Sequence, residues 1–172
     1  MTKLFAKKTF WELTENFTIL DALSNVLFKS KNKGNTLNKE ITLYDTTGNV
    51  RAQIKKEVHK KLLLYHVCMD GSFIATIKTN KGLKTKGFTI DPQGLVTDHN
   101  RSKLIYTLMQ NDKTVGAIST KLFRLKNTYQ INIIDYSEEL MFMMIALTII
   151  IDERDPSFAG SLLKKPDWLS GL

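Results

Sequence analysis

The sequence is poor in residues that cross-link or interrupt a small domain, since its 172 residues include one cysteine and three prolines. Because Cys68 has no second cysteine to pair with, an internal disulfide is excluded and a reducing compartment is favoured. Residues 1–17 carry early lysines but lack the apolar core and the small-residue cleavage site of a secretory signal. We therefore expect a cytoplasmic protein, peripheral to the membrane if it contacts one.

The usual motifs for catalysis, metal binding and nucleotide binding are missing as well. His59, His66 and His99 lack the spacing of zinc ligands, and residues 78–82 lack the spacing of a phosphate-binding loop. His66 and Cys68 share a face of a predicted strand, but no third residue is marked as the orienting partner that a nucleophilic pair requires. We expect no catalytic residue, no metal and no cofactor.

A strand–turn–strand pattern recurs along most of the chain. Short β-branched and aromatic runs end at an aspartate and resume after a polar turn, with spacings of 24, 25, 21 and 21 residues between these aspartates. The turn aspartates are Asp21, Asp45, Asp70, Asp91 and Asp112. Such turns favour hairpins, and with the adjoining runs they give roughly ten to twelve strands. A meander of that length should close into a barrel to remove its edges.

One apolar run, Leu140–Ile151, predicts a helix that is hydrophobic on every side. At about 1.5 Å per residue it rises about 18 Å, against about 30 Å for the hydrocarbon core of a membrane. We therefore favour a helix over 138–152 buried inside the barrel, and a membrane-inserted segment is the alternative. Asp135 followed by Glu138 predicts a capping box at its start. Residues 1–155 are expected to form the domain, and 156–172 a tail.

Four phrases resemble the LURP-one-related family, within the wider tubby C-terminal-like and scramblase-like superfamily. They are FTILDALSNVLFKSK (17–31), ITLYDTTGNVRAQIKKE (41–57), TVGAISTKLFRLKNTYQINI (114–133) and EELMFMMIALTIIID (138–152). The resemblance implies a closed, mainly β, twelve-stranded antiparallel barrel around a central C-terminal helix. It also implies a lipid-related role, because tubby proteins bind phosphoinositides and scramblase-like proteins associate with lipid. The tubby lipid-binding motif is not reproduced here, so no site residue is carried over.

Positive charge is concentrated in the middle of the chain. The net charge is +8, and residues 51–103 hold 11 basic and 4 acidic residues. Two clusters surround two predicted connections: Lys55, Lys56, Lys60 and Lys61, and Lys78, Lys81, Lys84 and Lys86. If both connections meet at one end of the barrel, they form a cationic rim for an anionic headgroup or membrane surface. The alternative is a set of solvated hairpin ends, where lysine discourages edge pairing.

These features favour a non-enzymatic binding or scaffold module that recognises anionic phospholipid or phosphoinositide headgroups, or a protein partner, at a membrane surface. A small-ligand carrier or enzyme with a pocket at the barrel mouth is an alternative, as is a protein-interaction or stress-response module. Nucleic acid is an unlikely partner because the basic segments carry few aromatic residues for stacking and the strong helix is expected to be buried. The pattern does not indicate an oligomeric state.

Overall fold

Twelve strands and one helix occupy the part of the chain that the structure, a computed structural model, describes: residues 1–11, 14–35, 37–80, 87–100, 102–120 and 128–154. The strands are β1 Thr2–Trp11, β2 Thr14–Asp21, β3 Val26–Lys33, β4 Glu40–Asp45, β5 Val50–His59, β6 Leu62–Met69, β7 Ser72–Asn80, β8 Thr89–Asp91, β9 Leu95–Asn100, β10 Ile105–Gln110, β11 Lys113–Thr120 and β12 Thr128–Ile133. The helix, α1, is Glu138–Arg154. The predicted fold class, mainly β with one C-terminal helix, is confirmed.

The strands form a closed barrel in which neighbours along the chain are neighbours in the sheet. Every pairing is antiparallel, and β1 pairs with β12 to close the ring, with Ala6 opposite Tyr129. This closure leaves no free sheet edge around the ring, which is the reason that a long meander was expected to curl up. All five predicted turns join paired strands.

Helix α1 lies inside the barrel and is buried from Leu140 to Asp152. None of the described helices is long and apolar enough to cross a membrane. The helix begins at Glu138, and the Ser137 hydroxyl accepts a hydrogen bond from the Leu140 amide at 3.1 Å. Ser137 is therefore the N-cap, and the predicted capping box from Asp135 to Glu138 was wrong. With Asp135 as the cap, the helix would have to begin at the next residue, and it begins two residues later than that.

Inward-facing side chains alternate along the strands and pack against α1. On β6, for example, Leu63, Tyr65 and Val67 are buried, as expected for the inner face of a barrel. Gly116 on β11 provides room for the helix, because a Cβ atom there would lie 2.5 Å from the Met144 sulfur. The absence of a side chain at this position lets α1 approach the barrel wall.

The two ends of the barrel differ in charge. The turns after β2, β4, β6, β8 and β10 share one end with the start of α1, and we call it the acidic end. Its carboxylates are Asp21, Asp45, Asp70, Asp91, Asp112, Asp135, Glu138 and Glu139. The opposite end, the lysine end, contains the end of α1 and described lysines at or next to the connections. These are Lys33, Lys39, Lys60, Lys61 and Lys103.

Two of the turn aspartates, Asp21 and Asp45, accept hydrogen bonds from residues of their own turns. Asp45 Oδ1 accepts bonds from the Thr47 hydroxyl at 2.7 Å and the Asn49 amide at 2.9 Å. These bonds hold the pKa of Asp45 below its ordinary value, and bonds from Asn25 do the same for Asp21. These two carboxylates therefore serve as turn-forming groups, as the sequence pattern predicted, whereas Asp70 and Asp91 form ion pairs with Arg51 and Lys78.

Candidate functional site at the lysine end

A groove of about 350 Å³ opens on the barrel wall close to the lysine end. It lies where the shortest strand begins: β8 pairs with β7 only from Thr76 to Lys78, whereas β7 continues to Asn80. The groove is lined by Leu62, Lys78, Thr79, Gly87, Phe88, Thr89, Val96 and Thr97. One ammonium group, three hydroxyls and several apolar side chains thus share one concave surface.

Hydrogen bonds between the groove residues hold this surface in shape. The Phe88 amide donates to Thr97 Oγ1 at 2.8 Å, and the Thr97 amide donates to the Phe88 carbonyl at 3.0 Å. The Thr79 hydroxyl donates to the Gly87 carbonyl at 3.2 Å. These threonines therefore tie together the backbone on both sides of the groove.

Lys78 provides the positive charge of the groove. Its Nζ lies 2.8 Å from Asp91 Oδ2, and both side chains are more than two-fifths exposed. An exposed ion pair of this kind is worth only about 0–1 kcal/mol, so an incoming anion can draw the ammonium group away from Asp91 at little cost. Leu62 and Val96 lie on the lips of the groove and are 39% and 47% exposed.

The two predicted lysine clusters adjoin this groove along the chain. Lys60 and Lys61 are exposed in the β5–β6 turn and directly precede Leu62, which lines the groove. Lys78 lines it as well, whereas Lys81, Lys84 and Lys86 lie outside the described residues. Gly87, the residue after Lys86, lines the groove. Among the described lysines of the two clusters, Lys78 alone lines the groove, and Lys60 and Lys61 approach it only as the residues before Leu62.

Lys55 and Lys56, by contrast, do not line the groove. Lys55 is exposed on the outer wall, opposite His66 in the sheet register. Lys56 points inward, with a side chain only 6% exposed and its Nζ 3.4 Å from Glu153 Oε1. The sequence grouped it with a solvent-facing rim, but the alternation of β5 turns it towards the end of α1. Its Nζ also lies 5.8 Å from the centroid of the Tyr65 ring.

Glu153 links the end of α1 to the lysine end. Its Oε1 lies 3.8 Å from Lys39 Nζ as well as close to Lys56, and its Oε2 accepts a hydrogen bond from the Tyr65 hydroxyl at 3.2 Å. Burial and, secondarily, the Glu153 charge raise the pKa of Tyr65 above its ordinary range. Tyr65 therefore remains a neutral donor, and this cluster fixes the position of the helix.

The structure shows both nitrogens of His66 in hydrogen bonds. Nδ1 lies 2.9 Å from the Thr76 hydroxyl and Nε2 lies 2.7 Å from Glu57 Oε2. The predicted shared face with Cys68 agrees with the alternation of β6, since Val67 between them is buried. No group of three or more histidine, cysteine or acidic side chains within the described ranges could hold a metal ion.

Sequence reasoning did not identify the groove threonines. Thr79, Thr89 and Thr97 lie in or beside strands, where threonine is common for its β-propensity alone. Their convergence depends on the shortness of β8, and the sequence between Lys86 and Asp91 gives no signal for that length. Lys39 was missed for a similar reason, because it stands alone in the chain and reaches Glu153 only through the fold.

Comparison with known proteins supports the fold. The sequence matches the family model described as LURP-one-related over residues 2–152, whereas no curated protein matches it. The structure is similar to the X-ray structure of a protein from Arabidopsis thaliana, with a TM-score of 0.58 and 16% sequence identity. That similarity covers 88% of this chain and 90% of the Arabidopsis chain. At such low identity the likeness concerns the fold alone.

Proposed function

The chain belongs to the LURP-one-related family, and we propose that it is a non-enzymatic module that binds anionic phospholipid headgroups, including phosphoinositides, through the groove at its lysine end. The family and the barrel are consistent with a binding module. The observation that supports the finer assignment is the lining of the groove, which includes Lys78 and also Leu62, the residue directly after Lys60 and Lys61.

The groove has the chemistry that a phosphate-bearing headgroup requires. Its volume of about 350 Å³ falls within the range of about 300–1,000 Å³ typical of small-ligand pockets. Lys78 supplies a point charge for a phosphate oxygen, and Thr89 adds a hydroxyl that can bond to the headgroup. The apolar residues at the edge of the groove, Leu62 and Val96, would face the glycerol and acyl region of the lipid. A soluble anion has no such apolar region for them to contact.

The charge difference between the barrel ends orients the protein on a membrane. The cytoplasmic leaflet is negative and attracts basic segments by about 1 kcal/mol per lysine near the surface. It attracts Lys60 and Lys61 at one end and repels carboxylates such as Asp112 and Glu139 at the other. The barrel therefore approaches with its lysine end first, and this orientation brings the groove to the headgroups.

Vesicle co-sedimentation tests the proposal. We expect binding to vesicles that contain phosphatidylserine or a phosphoinositide, weak binding to pure phosphatidylcholine, and loss of binding as salt is raised. Reversing three charges in Lys60→Glu/Lys61→Glu/Lys78→Glu should weaken binding by at least about 100-fold, because each lysine contributes about 1 kcal/mol.

A matched variant reverses three lysines elsewhere, Lys3→Glu/Lys29→Glu/Lys113→Glu, and so changes the net charge equally. These lysines are exposed but do not line the groove. If both variants weaken binding to the same extent, the attraction depends on net charge and the groove is not the site. If neither wild type nor control binds any vesicle, the membrane assignment is wrong.

The second candidate function is carriage of a soluble anionic ligand in the same groove. The groove threonines and Lys78 favour it as well, because they would bind a free phosphate ester in the same way. Native mass spectrometry of the purified protein with inositol trisphosphate separates the two. Tight binding of the soluble ester without vesicle binding favours the carrier.

A further inference from the structure

Asp91 lies next to the groove and carries a charge opposite to that of Lys78. Lys78 lines the groove and Asp91 does not, but Lys78 Nζ and Asp91 Oδ2 are 2.8 Å apart. Both side chains project from the outer face of the barrel, because their strand neighbours Ile77 and Ile90 are buried. The protein therefore presents a positive and a negative group side by side to a ligand in the groove.

The strand register places these groups in an order that runs away from the lysine end. Leu62 lies opposite the last residue of β7. Thr89 and Lys78 face each other two residues further from that end, and Asp91 lies two residues further again. Each step of two residues is about 7 Å along a strand. A bound lipid has the same order, with its acyl chains in the membrane, then its phosphate, and then its headgroup alcohol. A lipid whose phosphate reaches Lys78 therefore places its headgroup alcohol beside Asp91.

We propose that the groove prefers lipid headgroups in which an ammonium group follows the phosphate, so that phosphatidylserine is its preferred anionic lipid. This inference rests on the proposed function. When Lys78 turns to a phosphate, Asp91 loses its ion-pair partner, and the ammonium group of the ligand takes the place of the lysine. Two carbon atoms separate the phosphate ester oxygen of such a headgroup from its nitrogen, so two adjacent groups of the protein can contact both charges at once.

Asp91 also acts against headgroups that lack an ammonium group. With such a headgroup, a phosphate lies close to a carboxylate that has lost its partner, and like charges brought together weaken a complex. Phosphatidylcholine has an ammonium group, but three methyl groups cover its nitrogen and leave no N–H to donate to a carboxylate. Lys78 thus supplies an attraction that all phosphates share, whereas Asp91 determines the specificity.

Vesicles that differ only in one headgroup test this preference. Phosphatidylserine and phosphatidylglycerol each carry one net negative charge, so mixtures with phosphatidylcholine at equal mole fraction have equal surface charge. In co-sedimentation, the vesicles with phosphatidylserine should bind about fivefold more tightly, because one exposed ion pair is worth up to about 1 kcal/mol. Asp91→Asn should abolish the preference, mainly by strengthening binding to phosphatidylglycerol, and Asp91→Glu should retain it.

Asp112→Asn is the matched control. Asp112 is also an exposed turn aspartate at the acidic end, and it does not line the groove. Its replacement should raise the affinity for both kinds of vesicle equally and leave their ratio unchanged. Because each ratio is measured within one variant, any unfolded fraction affects both affinities alike.

The outcomes distinguish this inference from the groove assignment. If wild type binds both kinds of vesicle equally, or if Asp91→Asn keeps the preference, the inference is wrong, and loss of binding in Lys60→Glu/Lys61→Glu/Lys78→Glu would still support the groove. If Asp112→Asn abolishes the preference as well, it depends on net charge and the role of Asp91 is refuted.

The soluble ester O-phosphoserine separates the lipid from a free ligand of the same chemistry. We expect it to bind weakly in native mass spectrometry, because it has no acyl region for Leu62 to contact. Tight binding of this ester without binding to vesicles would overturn the lipid assignment. An absence of binding to the vesicles and to the ester would overturn both proposals.

Discussion

The end of α1 is fastened to the seam where the barrel closes, and breaking this fastening should be among the most costly changes in the molecule. Lys8 Nζ on β1 lies 2.8 Å from Asp152 Oδ2, with the two side chains 5% and 4% exposed. Tyr129 on β12 donates its hydroxyl proton to the other oxygen of Asp152. A carboxylate near a helix C-terminus is disfavoured by the helix dipole, so Asp152 depends on both partners.

The expected magnitude follows from this burial. Removing one partner of a buried ion pair costs about 3–5 kcal/mol. Against a total stability of about 5–15 kcal/mol, Lys8→Met or Asp152→Asn alone should remove a large part of the folding free energy. The double variant removes both charges, and the amide oxygen that replaces the carboxylate can still accept the bond from Tyr129. It should therefore lose about 2 kcal/mol less than the two single losses combined.

Urea unfolding followed by circular dichroism measures these differences, with the slope of the transition checked for constancy between variants. Hydrogen exchange adds a local readout, because the amides that pair β1 with β12 should lose protection before those of β6 and β7. Single variants within about 1 kcal/mol of wild type would refute the reasoning, since removing the partner of a desolvated charge should cost more than that. Strictly additive losses would show that the two groups are not coupled.

Three further predictions concern stability. Gly116→Ala should cost about 1–3 kcal/mol, because its Cβ would lie 2.8 Å from the Asn132 carbonyl oxygen, a backbone atom; unchanged urea midpoints would contradict this. The hydrogen bond from Thr47 lowers the pKa of Asp45 below 3.8. The contribution of the ionised Asp45 to folding stability is therefore present above about pH 4 and is lost as pH falls through the lowered pKa. Asp45→Asn should make the free energy of unfolding depend less on pH between about pH 5 and pH 2. An unchanged pH profile would show that this turn does not contribute to the pH dependence. Arg51 joins the β6–β7 turn to the first turn of α1, so Arg51→Met should lower the free energy of unfolding by about 1 kcal/mol, and no change would mean that the bridge is solvated.

Most of the fold could be predicted because its signals are local. Asp21 and Asp45 bond to their own neighbours, Asp21 to the Leu23 and Asn25 amides at 2.9 and 2.8 Å, so these two turns are determined within about five residues of sequence. Barrel closure followed from the need to remove sheet edges. The start of α1 was predicted less well: the cap was placed at Asp135, whereas Ser137, also a good capping residue, accepts the bond from the Leu140 amide.

The candidate site was only partly predictable because it depends on non-local geometry. Lys60, Lys61 and Lys78 were identified as candidates from the concentration of lysines in the sequence. That signal does not depend on the direction in which a side chain points. Lys56 was grouped with them wrongly, because one residue along a strand reverses the face. The register that sends Ile54 into the core also sends Lys56 towards Glu153.

The architecture itself limits where this protein can bind. Every strand of the closed ring has a neighbour on both sides, and α1 is buried from Leu140 to Asp152. Within the described ranges, the main gap in strand pairing is therefore beside the short strand β8, where β7 and β9 extend beyond it. Binding is therefore expected at the ends of the barrel and at irregularities in the strand pairing of its wall. The groove is such an irregularity, found where β8 is three residues long, and it lies beside the end whose lysines we propose to contact phosphate. Extending β8 should fill the groove without disturbing the opposite wall. If a variant with a longer β8 keeps both its fold and its affinity for vesicles, the lysines act as a diffuse charge and the groove has no role.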